Sequence, residues 1–125
     1  MMARPKYSPQ TDSNSHVITD FLKDITHYGG LPLDWADLSR YGGRMLDGCL
    51  CLGPLPIFCE IKTPEAYAKK NHDMTAGEKE FFDTWPSPKA FIVDEADIAE
   101  ILRNWYPVAI GLQEIIERKA NERRR

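Results

Sequence analysis

A chain of 125 residues, 42% hydrophobic and 28% charged, is long enough to bury one core and too short for two domains. Its formal net charge of −3 excludes a globally basic nucleic-acid coat, and no apolar run approaches the roughly 20 residues that a membrane span needs. Cys49, Cys51 and Cys59 are an odd set, and the N-terminal stretch has no secretory apolar core, so reduced thiols in a cytoplasmic protein are expected.

In chain order, residues 1–11 with Pro5 and Pro9 read as an arm. Asp12 or Ser13 caps a helix whose apolar stripe is Val17, Ile18, Phe21, Leu22 and Ile25, with Gly29–Gly30 as its stop. Residues 31–45 hold a short strand in LPLDWADL and a turn in RYGGR. Two strand-like runs, LDGCLCL and IFCEIKT, are joined by the loop Gly53-Pro54-Leu55-Pro56. A polar connection, PEAYAKKNHD, leads to Thr75 and Glu78, whose spacing is a capping box opening a helix through Phe81, Phe82 and Trp85. Pro86 and Pro88 end that helix, and Ala90–Val93 is a buried strand. Asp94 caps a helix with Ile98, Ile101, Leu102 and Trp105 on one face. Beyond Pro107 a separate amphipathic helix carries Val108, Leu112, Ile115 and Ile116 into a basic tail. The expected order is α–β–β–β–α–β–α plus a C-terminal helix, an α/β fold with helices packed on a sheet.

The residues that carry chemistry are Asp47, Glu60 and Lys62. Glu60 and Lys62, two apart on a strand, share a face. If the loop pairs Leu52 with Ile57, Cys49 faces Glu60 and Asp47 faces Lys62. Asp47 and Glu60 are then diagonal neighbours about 7 Å apart. A one-residue slip would move Asp47 to the other face. Two carboxylates can hold Mg²⁺ or Mn²⁺ with substrate phosphate, and an ammonium can hold an attacking water or stabilise developing charge. The Ile61 carbonyl is an added candidate ligand. The same spacing also fits an Asp-Gly turn and a solvated cross-strand ion pair.

Other residues carry weaker signals. Cys49 and Cys51 share a face and Cys59 points away; without a C-x-x-C pair they read as thiols rather than zinc ligands. His16, His27 and His72 read as surface or helix-end residues, and Asp34 and Asp37 as loop acids. Trp35, Trp85 and Trp105 read as core or half-buried aromatics. Lys69, Lys70 and Arg44 are candidate phosphate contacts.

In order along the chain, Asp12-Ser13-Asn14, Gly42-Gly43 with Asp47, Glu60-Ile61-Lys62, the basic Lys69–Lys70, Thr75 with Glu78, and Trp85 before a strand and a helix form a set. This set resembles the PD-(D/E)XK nuclease superfamily, specifically its small phage-type members related to the VRR-NUC domain. The resemblance covers about Asp12 to Trp105. Leu46 stands where the family has proline, Ser15 where relatives often carry Glu, Gln or His, and Glu78 where they often carry Gln. His16 is the neighbouring candidate for the accessory role of position 15.

The resemblance implies a restriction-endonuclease-like core, a mixed central sheet flanked by helices, in residues 12–106, with 107–125 as a C-terminal helix and tail. It implies a Mg²⁺- or Mn²⁺-dependent DNA endonuclease of phage or prophage replication, repair or recombination. Asp47 and Glu60 would be metal ligands and Lys62 the catalytic lysine. Duplex cleavage would imply a homodimer. The rival expectation is an inactive module of the same fold that binds nucleic acid or a protein.

Overall fold

A computed structural model describes residues 15–41 and 45–124. The arm at 1–11, the cap at Asp12 or Ser13, Asn14, Gly42, Gly43 and Arg44 lie outside these residues. The fold is α/β, with a five-stranded mixed sheet flanked by helices. Helix α1 spans Ser15–Asp24 and is followed by strands β1 (His27–Tyr28), β2 (Leu31–Asp37), β3 (Gly48–Leu52) and β4 (Leu55–Ile61). Helix α2 (Pro64–Ala68), a turn over Lys70–Asp73 and α3 (Ala76–Thr84) lead to β5 (Lys89–Ile92) and α4 (Glu95–Arg123). The sheet order is β1-β2-β3-β4-β5. The first four strands form an antiparallel meander, and β5 lies parallel to β4. A parallel neighbour needs a crossover, which α2 and α3 supply.

The two faces of the sheet are buried differently. One carries Leu31, Leu33, Trp35, Leu50, Leu52, Ile57, Cys59, Ile61 and Ile92 against Ile18 and Leu22 of α1 and Ile98, Ile101 and Leu102 of α4. Complete burial of an aliphatic side chain contributes about 1.5–3 kcal/mol, so this layer holds the domain together. The other face carries Asp47, Cys49, Cys51, Phe58 and Glu60 beneath α2 and α3. It is closed by aromatic contacts: Phe58 on Phe81, and Phe91 against Tyr67, His72 and Phe82.

Several expectations change. Gly29–Gly30 does not stop α1, which ends at Asp24. It is the two-residue turn between β1 and β2, and both glycines have positive φ (55° and 84°) as a type I′ turn requires. Val17 is exposed rather than part of the buried stripe. The polar connection after Thr63 begins as a helix, with Thr63 Oγ1 accepting from the Ala66 amide and Pro64 at the first position. Pro107 does not divide the C-terminal segment. One 29-residue helix, about 43 Å long, runs through it and across the 106/107 boundary. The missing amide at Pro107 removes one rung. Burial of Ile98, Ile101, Leu102 and Ala109 on both sides of the proline keeps the flanking turns on the sheet. Trp85 is 48% exposed, stacked on Phe81 at the end of α3.

The β3–β4 register also differs. The partners are Leu52↔Leu55, Leu50↔Ile57 and Gly48↔Cys59, so only Gly53 and Pro54 form the turn. Gly53 takes φ +56° at the first central position, the place a type II′ turn reserves for glycine. Pro56 enters β4 because β5 begins only opposite Phe58, whose amide donates to Pro88. The side of Pro56 that lacks a donor therefore faces no strand.

Gly48 holds the start of β3 close to Trp35. A Cβ there would lie 2.1 Å from the indole. Gly48→Ala is expected to lower stability by about 1–3 kcal/mol through overpacking. Gly111→Ala in α4, where a Cβ meets nothing within 4 Å, is expected to raise it by about 0.5–1 kcal/mol. Urea midpoints of the two variants against the parent test both signs.

Candidate metal centre

Asp47 stands one residue before β3, just beyond the last ladder pair, Gly48↔Cys59. Continuing that pairing sets Asp47 directly opposite Glu60. The two side chains complete the ladder in place of main-chain bonds. The Asp47 amide donates to Glu60 Oε1 at 3.0 Å, and the Ile61 amide donates to Asp47 Oδ2 at 2.8 Å. The Asp47 carbonyl accepts from the Leu38 amide at 2.9 Å, which ties this point to the end of β2. Each carboxyl is thus fixed by the backbone that carries or neighbours the other.

Lys62 extends β4 by one residue, with its amide donating to the Ile92 carbonyl. Its ammonium lies 3.5 Å from Glu60 Oε2 and donates to the Asp73 carbonyl at 3.2 Å. Glu60 is only 2% exposed and Lys62 7%, so this is an interior ion pair rather than a solvated one. Glu78 comes from the first turn of α3, where the expected capping box is present: Thr75 Oγ1 accepts from the Glu78 amide and Glu78 Oε1 from the Thr75 amide. That box holds the Glu78 carboxyl at the first turn of α3, where its charge raises both Glu60 and Asp47.

Burial is the main cause that pushes Glu60 up to about 10, reinforced by the Asp47 and Glu78 carboxylates and opposed by Lys62. Asp47 is raised to about 6, again by burial first, with the Ile61 amide and Glu60 pulling the other way. Three carboxylates against one ammonium leave two negative charges uncompensated when all are ionised. Without a cation, these shifts favour the protonated form of Glu60.

This donor set fits a hard divalent cation. Asp47 and Glu60 stand opposite each other at the end of the ladder, and a cation would offset the negative charge that Lys62 leaves unmatched. Among the described residues no three His, Cys, Asp or Glu side chains converge as a ready-made cage. A two-carboxylate site is the arrangement Mg²⁺ commonly uses, its remaining positions going to water and phosphate.

The fold brings together Asp47, Glu60, Ile61, Lys62 and Glu78. Ser15 and His16 open α1, whose buried residues lie on the opposite sheet face. Lys69 and Lys70 are exposed at the turn above Lys62, with Lys69 3.9 Å from Asp73. Arg44 lies outside the described residues. Cys49 and Cys51 share the site face with their sulfurs 3.8 Å apart, and burial pushes the Cys49 thiol up to about 12. Cys59 is on the core face. The carbonyl of Asp73 is the partner that motif reading missed; the run Asn71-His72-Asp73, three residue types that tolerate left-handed backbone, was its signal. Compared with protein-family models, with curated proteins and with solved structures, the chain finds no match.

The raised carboxyls fix the sign of a pH effect in metal-free protein. Below the ordinary value of 4.5 both folded and unfolded chains hold the Glu60 proton, and its contribution is fully present. Above it the unfolded chain releases the proton first, so stability falls until the folded value near 10 is reached. Asp47 adds to the fall between 3.8 and about 6. Each group contributes at most about 1.4 kcal/mol per pH unit. In chelator, the urea midpoint is expected to drop between about pH 5 and pH 8, and Glu60→Gln, which cannot ionise, to flatten that drop. Parallel profiles for the two proteins would mean that Glu60 is ionised in the fold.

Proposed function

We propose that this protein is a metal-dependent nuclease that hydrolyses DNA phosphodiester bonds, with Asp47 and Glu60 holding Mg²⁺ or Mn²⁺. The observation that carries the reading is the reciprocal bonding of Asp47 and Glu60 with the Lys62 ammonium 3.5 Å away. A solvated ion pair needs none of that burial, and a purely structural one is served by one acid and one base. A cluster that sets a half-buried Asp47 beside a buried Glu60, with one ammonium to offset them, carries excess negative charge and is suited to a cation.

When held by Asp47 and Glu60, a divalent ion would supply charge neutralisation at the phosphate and lower the pKa of a water. The chain's own residues do the rest. Asp47 and Glu60 orient the ligand set through backbone bonds that do not depend on substrate. Lys62 holds a donor beside Glu60, placed to hydrogen-bond an attacking water or a phosphate oxygen. Glu78 sets the local charge and is positioned by its helix cap. The order Asp47, Glu60-Ile61-Lys62 resembles the PD-(D/E)XK pattern, which supports a setting in phage or prophage DNA metabolism. Lys69 and Lys70 on the adjoining turn are then phosphate contacts.

The near-complete burial of Glu60 and Lys62 favours one other reading, an inactive module of the same fold that binds nucleic acid or protein. Incubation with plasmid, linear duplex, single-stranded and branched DNA distinguishes the two. Cleavage is expected to require Mg²⁺ or Mn²⁺ and to fall about 10²–10³-fold in Lys62→Ala, the loss typical of removing a transition-state donor. A folded protein that neither cuts nor binds the metal would leave the binding module as the reading.

A further inference from the structure

Asn71, His72 and Asp73 have φ of 55°, 51° and 58°, three successive non-glycine residues in left-handed backbone. Asn, His and Asp are the residue types that accept this region best, so the sequence is matched to the conformation. The turn is also held from outside. The His72 ring stacks on Tyr67 with centroids 4.2 Å apart and meets Phe91 edge-on at 4.8 Å. Its Nδ1 lies 2.6 Å from the Tyr67 carbonyl. The His72 amide donates to Lys69 and the Met74 amide to Asn71. Phe91 is the β5 partner of Glu60, so the anchor and the site share one patch of sheet.

The product of this turn is the direction of one carbonyl. Asp73 O points at the Lys62 ammonium from 3.2 Å, while the Asp73 carboxylate faces away toward Lys69. A lysine stem has many rotamers, and a neutral acceptor beside the Glu60 carboxylate selects among them. We propose that the left-handed turn Asn71–Asp73 is a positioning device for Lys62, acting through the main-chain carbonyl of Asp73. Unlike the carboxylates it touches neither metal nor substrate. Its catalytic consequence rests on the nuclease reading, but its structural content does not.

The distinction between backbone and side chain makes the test. Asp73→Gly and Asp73→Asn admit positive φ and keep the carbonyl in place, whereas β-branched Asp73→Val rejects it. Lys62 in the folded proteins is labelled by reductive methylation and its rate is read by mass spectrometry. Asp73→Val is expected to raise that rate about tenfold, the factor that a charge-assisted hydrogen bond carries, with Gly and Asn near wild type. In DNA cleavage, Asp73→Val is expected to lose about 100-fold in kcat at similar KM, as misplaced catalytic groups do, and the other two to retain activity. Equal labelling of Lys62 in all four proteins overturns the proposal. So does a loss that follows the missing carboxylate and appears in Gly and Asn alike. Should Asp73→Val unfold, Asn71→Val against Asn71→Gly gives the same contrast. A wild-type protein that cuts nothing refutes the nuclease reading alone, because the labelling still decides whether the turn holds the ammonium.

Discussion

The reciprocal bonds between Asp47 and Glu60 occupy the point where the β3–β4 ladder ends, and much of the surrounding structure serves them. An antiparallel ladder that simply stopped there would leave the Asp47 and Ile61 amides to find other acceptors. Here each amide is taken by a carboxyl oxygen of the facing residue pair. The substitution fixes two acids at facing positions, each bonded to the other's strand. Gly48 makes the approach feasible by giving its side-chain space to Trp35. Leu38, at the end of β2, secures the Asp47 main chain.

Fixing acids this closely stores electrostatic energy. Burial raises a carboxylate's titration, and it moves Glu60 and Asp47 upward despite their amide and lysine partners. Lys62 relieves part of the strain and Glu78 adds to it. The crossover after β4 therefore does two jobs. It places β5 parallel to β4, and it delivers the Asp73 carbonyl and the Glu78 carboxyl to the same side of the sheet. Ladder, crossover and charge balance are one arrangement, in which α1 and the hydrophobic face supply the rigidity.

Most of this was legible in the sequence, for reasons that can be named. The period of two along a strand put Glu60 and Lys62 on one face whatever the register. The expected register was off by two residues, because both prolines of the loop were counted as turn, yet a slip of two preserves the face. It exchanged a diagonal Asp47–Glu60 relation for a direct one and left all three residues on the same face. The Thr75–Glu78 capping box was readable from spacing alone. What escaped were features decided by tertiary packing. Gly29–Gly30 serves a hairpin, since Tyr106 in α4 donates to the Gly29 carbonyl and fills the space a side chain would need. The helix that continues through Pro107 is set by residues far away in sequence, which no local rule reports.

Two departures from local preference remain, and their locations differ in meaning. Pro107 breaks a helix rule on the exposed side of α4, away from the site. It is tolerated at about 3 kcal/mol because the turns on either side are independently buried. The left-handed run at Asn71–Asp73 departs from the backbone rule three times in succession, at about 1–2 kcal/mol per residue before its favourable residue types are counted. A loop free to relax would shed that energy, since an ordinary turn needs no such run. The run is kept in place by the ring of His72 between Tyr67 and Phe91, and it ends on the carbonyl that meets Lys62. Strain that persists beside a buried lysine and two carboxylates, held by aromatic contacts on the same sheet face, is strain with a geometric product. The product is a fixed ammonium.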